Sequence, residues 1–121
     1  MESSAGTAMI LETDIEQGLR ERLEEFGFKV LKLYTPGHTG AMDRMILRPR
    51  YSPGPPMFVE LKRRGKKLRP LQAAIGEDWK KRGCEVLEPI LGIADMTERV
   101  SELIDMVILD YRHAKMFGQG Q

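Results

Sequence analysis

Met57-Phe58-Val59-Glu60-Leu61-Lys62 is a short apolar run broken by two charges and approached through Pro53-Gly54-Pro55-Pro56. Its length, residue types and proline-rich approach predict a buried strand. Side chains alternate across a strand, so Phe58, Glu60 and Lys62 share one face and Met57, Val59 and Leu61 the other. A carboxylate and an ammonium therefore leave the same face of a central strand. Burying either charge alone costs roughly several kcal/mol, so the pair must meet metal, water or substrate, or neutralise each other.

Upstream, Asp43 stands at the head of a second apolar run in Gly40-Ala41-Met42-Asp43-Arg44-Met45-Ile46-Leu47. Residues 44–47 are expected to form a strand that pairs with the first run across the irregular, proline-rich stretch 48–56. Asp43 and Glu60 then converge at one end of the sheet. Two carboxylates meeting there supply oxygen ligands suited to Mg²⁺ or Mn²⁺.

Asp43 followed by Glu60-Leu61-Lys62 resembles the Asp…Glu-x-Lys core of the PD-(D/E)XK nuclease superfamily. The wider pattern Gly-x-x-Asp43-Arg44-x-x-Leu47…Phe58-Val59-Glu60-Leu61-Lys62…Gly65-x-x-Leu68-x-Pro70-Leu71-Gln72 is similar to the VRR-NUC family, the stand-alone phage and bacterial members above all. The likeness runs over residues 12–86. Met42 departs from it, standing where the family usually has proline; the backbone restriction of proline is released and the aspartate is kept.

The resemblance implies an α/β fold, a compact restriction-endonuclease-like core with a small mixed sheet flanked by helices. It implies a catalytic set of Glu12, Asp43, Glu60, Lys62 and Gln72. Asp43, Glu60 and the Leu61 carbonyl would hold Mg²⁺ or Mn²⁺, with Glu12 direct or through water. The activity implied is that of a metal-dependent, structure-selective DNA endonuclease, in stand-alone members a homodimeric resolvase of four-way (Holliday) junctions. The alternative is a flap or structure-directed nicking nuclease in repair, like the domain's role in larger Fanconi-anaemia-associated nucleases. A reading of another class is a non-catalytic, nuclease-like DNA-binding module, or a packing domain in which Glu60 and Lys62 form a structural ion pair. The joint presence of Asp43, Glu60, Lys62 and Gln72 weighs against that class.

A chain of 121 residues fits one domain, expected over 9–112 between short flexible ends at 1–8 and 113–121. No run is long and apolar enough for a membrane span, and no secretory leader is recognisable at the N-terminus. The single cysteine, Cys84, rules out an intrachain disulfide and suits a reducing cytoplasm, bacterial or phage-infected. The overall charge of +1 hides a segregation, because residues 60–82 hold nine Lys/Arg against three acids. A basic segment beside the site points to a polyanionic partner. Lys32, His38, Arg44, Arg63, Arg64, Lys66, Lys67 and Arg69 are the candidate DNA contacts, the last five forming a charge run that could equally be a solvated loop.

The remaining stretches supply scaffold. Ile15, Leu19, Leu23 and Phe26 form the stripe of a first helix that Gly27 ends, with a capping box from Thr13 to Glu16 or an earlier cap at Ser4 or Thr7. In the resembling nucleases a glutamate precedes the first apolar anchor of this helix by three residues, as Glu12 precedes Ile15; the other reading is that Glu12 only favours the helix dipole. Residues 28–34 read as a strand, with Lys32 either a phosphate contact or an edge lysine. His38 lies in a turn-rich loop. Pro70 opens a second helix whose Leu71, Ile75 and Trp79 are expected to face the sheet, Gly83 stops it, and residues 84–88 form a further strand. A last helix spans about 95–112. Met96, Val100, Leu103, Ile104, Val107 and Tyr111 line one side of it, and Met106 and Leu109 the other, which suggests a homodimer contact.

Overall fold

The computed structural model describes residues 12–34, 42–62 and 70–118. Ile15, Leu19 and Leu23 form a fully buried stripe of helix α1 (Glu12–Glu25). Phe26 does not extend it; at 36% exposure it lies in the turn that ends the helix. Thr13 is inside the helix and Glu16 bonds Arg20, so the expected capping box is not formed. The Gly27 N–H donates to the Glu24 carbonyl and the Phe28 N–H to the Leu23 carbonyl, a Schellman end closed by Phe28 against Leu23. Gly27 has a φ of 92°, which a side chain would resist.

Strands β1 (Lys29–Lys32), β2 (Arg44–Leu47) and β3 (Met57–Val59) run antiparallel in that order, and β5 (Glu85–Val86) adds parallel to β3. The expected strand over residues 57–62 is interrupted at Glu60 and resumes as β4 (Leu61–Lys62), which pairs with β6 (Ile90–Leu91). The cause is a bulge in the partner. Leu87 N–H donates to the Phe58 carbonyl, but the Glu60 carbonyl is met by Ile90 N–H, one residue later than a regular ladder requires. Pro89, which has no N–H to give, occupies the skipped place. Arg99 holds the bulge through its guanidinium, donating to the carbonyls of Glu88 and Pro89.

Helix α2 (Pro70–Lys81) starts at its proline and ends at Gly83, again with a Schellman pair. Its orientation differs from the expected one. Gln72 and Gly76 are its buried residues, while Leu71 is 52% exposed. Ile75 and Trp79 are half-buried, and Trp79 meets Phe58 edge to face at 5.2 Å. Helix α3 (Gly92–Phe117) is longer at both ends than expected. Met96, Val100, Leu103 and Val107 are buried, and Met106 packs against the core instead of facing away, whereas Tyr111 is 38% exposed.

The sheet thus has two unlike faces. Val30, Ile46, Met57, Val59 and Leu61 meet α1 and α3 in the apolar core. Phe58, Glu60 and Lys62 turn the other way, toward α2, as the alternation requires. Arg48, Arg50 and Tyr51 sit in the connecting stretch; Arg48 pairs with Glu85 and Asp110, and the Tyr51 hydroxyl donates to the Phe26 carbonyl, so these two fasten the loop to the body. Among the described residues no helix is long and apolar enough to cross a membrane.

An alanine at position 27 would place its Cβ 3.1 Å from the Pro49 Cβ at a positive φ, whereas at position 83 nothing lies within 4 Å. Gly27→Ala is expected to destabilise the chain by about 1–2 kcal/mol, and more than Gly83→Ala does, in urea unfolding. The reverse order would contradict the packing assigned to this turn.

Candidate active site

The register of β2 on β3 builds the site. Arg44 is opposite Val59 and Met45 opposite Phe58, so one step further Asp43 is opposite Glu60 on the same face. The backbone of each acid is fixed from its outer side. Leu33 N–H donates to the Asp43 carbonyl at 2.9 Å, and Ile90 N–H to the Glu60 carbonyl at 2.9 Å. The Leu61 N–H points back to Asp43, and in a strand the carbonyl of the same residue leaves on the same side. The Leu61 carbonyl therefore turns toward the acids.

Glu60 is 5% exposed. Its Oε2 accepts from Gln72 Nε2 at 3.1 Å and lies 3.3 Å from Lys62 Nζ. Gln72 comes from the buried side of α2 at 4% exposure, where Gly76 lies against Val86 and Met42. Met42, the residue in the usual proline position, is itself buried under that helix. Asp43 Oδ2 is 3.0 Å from Arg44 Nη1. The other oxygen of each acid, Asp43 Oδ1 and Glu60 Oε1, is buried without a hydrogen-bond partner.

Buried carboxylate oxygens without partners, on two acids that repel one another, are costly unless a proton or a cation satisfies them. The titration of both groups reflects this. Burial pushes the Glu60 carboxyl up, the Asp43 charge adds to it, and Lys62 and Gln72 only partly offset them. Burial likewise raises Asp43 against the pull of Arg44 and the Leu61 N–H, and the charge of Glu12 at the head of α1 raises it further. Among the described residues no three His, Cys, Asp or Glu side chains form a complete ligand cluster. What is present fits a hard cation all the same: a facing carboxylate pair with one free oxygen each, a carbonyl turned toward them, and Glu12 within electrostatic range.

The other expected site residues fall differently. Lys32 is exposed at the end of edge strand β1, beside Arg44 in the register. Arg44 is not placed as a DNA contact: at 5% exposure it is held between Asp43 and Glu16. Alternation had put an arginine at the head of a strand, and nothing local to it announces that its counter-charges are Asp43 and a helix residue 28 positions back. His38, Arg63, Arg64, Lys66, Lys67 and Arg69 lie outside the described residues.

The sign of the pH dependence follows. Both carboxyls titrate above their ordinary range in the folded chain, so this contribution to stability is complete below the ordinary carboxylate range, about pH 4, and is lost as pH rises through the raised folded values. In EDTA, Glu60→Gln is expected to melt above the wild type near pH 7, by a margin that shrinks toward pH 4. With millimolar Mn²⁺ the wild type should gain and the variant should not. A variant less stable than the wild type in EDTA at neutral pH would show Glu60 to be a stabilising structural ion pair.

No family model matches the chain, and no curated protein does. A solved structure described as a VRR_NUC domain superposes on it with a TM-score of 0.60 at 32% identity, covering 78% of this chain and 94% of that one. At that identity and coverage the likeness extends beyond architecture, and the chain belongs to the VRR-NUC family of PD-(D/E)XK-type nucleases.

Proposed function

We propose that the chain is a Mg²⁺- or Mn²⁺-dependent endonuclease that nicks branched DNA, four-way junctions foremost. The observation that carries the reading is the facing pair Asp43 and Glu60, each with one buried oxygen unpartnered, beside Lys62 and Gln72. The ion pairs to Lys62 and Arg44 use only one oxygen of each acid, and a divalent cation would satisfy both of the others.

A cation held by Asp43, Glu60 and the Leu61 carbonyl would supply charge for the scissile phosphate and acidity for a water. The chain's own groups do the rest. Gln72 and Lys62 engage Glu60 Oε2 and so keep Oε1 directed at the site. Lys62, half-buried with its ammonium beside Glu60, would donate to a phosphate oxygen as negative charge gathers there. Glu12 adds negative charge on the Asp43 side.

A domain of this size has little surface for reading base sequence, which favours recognition of DNA shape. Exposed Leu109, Met116 and Phe117 on α3, at 62%, 74% and 69%, support a homodimer in which two sites reach two strands of a junction. The free Cys84 supports a reducing, cytoplasmic setting.

The test is cleavage of labelled four-way junction, flap and linear duplex DNA with Mg²⁺, Mn²⁺ or EDTA. Paired, metal-dependent nicks in the junction are expected, abolished in Glu60→Ala and slowed about 100- to 1000-fold in Lys62→Met. Flap cuts alone would replace junction resolution with repair nicking. Intact binding without cleavage of any substrate would leave a nuclease-like binding module.

A further inference from the structure

Arg44 is a buried charged side chain on the core face of the sheet, where its neighbours Ile46, Val30, Met57 and Val59 are apolar and Lys32, opposite it on the edge strand, is exposed. Its Nη1 donates to the Asp43 carbonyl at 3.2 Å as well as meeting Oδ2 at 3.0 Å, so one nitrogen grips both the side chain and the backbone of that residue. Its Nε, buried without a hydrogen-bond partner, lies 3.9 Å from Glu16 Oε2 on α1. Glu16 is bonded in turn by Arg20, which also donates to the Val30 carbonyl of β1. The guanidinium is thus wedged between a site acid and a helix that is itself tied to the sheet.

We propose that Arg44 is a positioning residue for the metal site: it occupies Asp43 Oδ2 and holds the carboxylate so that Oδ1 alone faces Glu60, with Glu16 as the counter-charge that keeps the guanidinium in place. The proposal rests on the metal-nuclease reading above. A guanidinium can do this where an ammonium cannot. Its Nη1 serves the carboxylate and the carbonyl together while a second nitrogen, Nε, stays toward Glu16; a lysine has one nitrogen on a flexible stem and cannot span the same partners. Outer partners of metal ligands act in this way, by fixing which atom of the ligand is presented.

Arg44→Lys keeps the charge and Glu16→Gln alters a partly exposed helix position, so both are suited to retain the fold, which circular dichroism checks. Mn²⁺ binding is measured by calorimetry and by the electron paramagnetic resonance spectrum of the bound ion, and cleavage by kcat and KM separately. Arg44→Lys is expected to weaken Mn²⁺ about 10- to 100-fold, as loss of such partners generally does, to change the spectrum, and to lower kcat with KM for DNA little altered. Glu16→Gln should shift Mn²⁺ affinity the same way by a smaller factor. Unchanged Mn²⁺ affinity in Arg44→Lys overturns the proposal: with a raised KM and a smaller salt dependence of binding it makes Arg44 a DNA contact, and with only a lowered melting temperature it makes it a structural ion pair. The metal reading is judged separately. If the wild type binds no Mn²⁺, or binds it undiminished in Asp43→Asn and Glu60→Gln, that reading fails and this one with it.

Discussion

Asp43 faces Glu60 because β2 and β3 pair antiparallel in one register, and the site depends on that pairing more than on any side-chain contact. A slip of one residue would turn one acid to the other face. The flanking strands guard against it. The Asp43 carbonyl is taken by Leu33 of the β1 end, the Glu60 carbonyl by Ile90 of β6, and the Leu61 N–H closes the gap between the two acids. The bulge before Ile90 belongs to the same arrangement. It lets the parallel partner skip Pro89 and still meet Glu60, so the acidic residue is anchored on a strand that breaks at that very point.

This placement works against folding. Two carboxylates in a water-poor place repel one another, and the direction of their titration records the penalty. Residues held in unfavourable electrostatic settings gather at functional sites and are tolerated because the rest of the domain over-determines them. Here the compensation lies behind the strands. Ile15, Leu19, Leu23, Val30, Ile46, Met57, Val59 and Val100 are fully buried in one cluster on the α1 and α3 side. The face toward α2 holds the acids and draws little on that core.

What the sequence made legible was local. Alternation in residues 57–62 gave the faces of Phe58, Glu60 and Lys62, and Gly27 and Gly83 marked two helix ends that are both Schellman turns. The pairing of Asp43 with Glu60 was within reach because a single connection joins their strands. Where contacts between distant segments decide, hydrophobic spacing misleads. Leu71, Ile75 and Trp79 repeat every four residues, yet α2 turns Gln72 and Gly76 inward, because Glu60 satisfies the glutamine. The one strand expected over 84–88 forms only at Glu85–Val86, and a second piece at Ile90–Leu91, past Pro89, was not legible in the sequence. Arg44 looked like a surface cation for want of any sign that Glu16 would be beside it.

The position of Arg44 has a consequence for how the halves of the domain are joined. Asp43 belongs to the site face and Arg44 to the core face, so their ion pair turns around the head of β2 and connects the two. Through Glu16 the connection continues to α1, whose first described residue, Glu12, stands close enough to Asp43 to act on its charge. The helix therefore reaches Asp43 by two routes, one through a buried guanidinium and one through a carboxylate at its head. A rotation of α1 large enough to move Glu12 would also displace Glu16 one turn on, and with it the counter-charge of Arg44. Packing of Ile15, Leu19 and Leu23 against the core opposes that rotation. The apolar stripe of α1 thus sets the electrostatics of a site it does not touch.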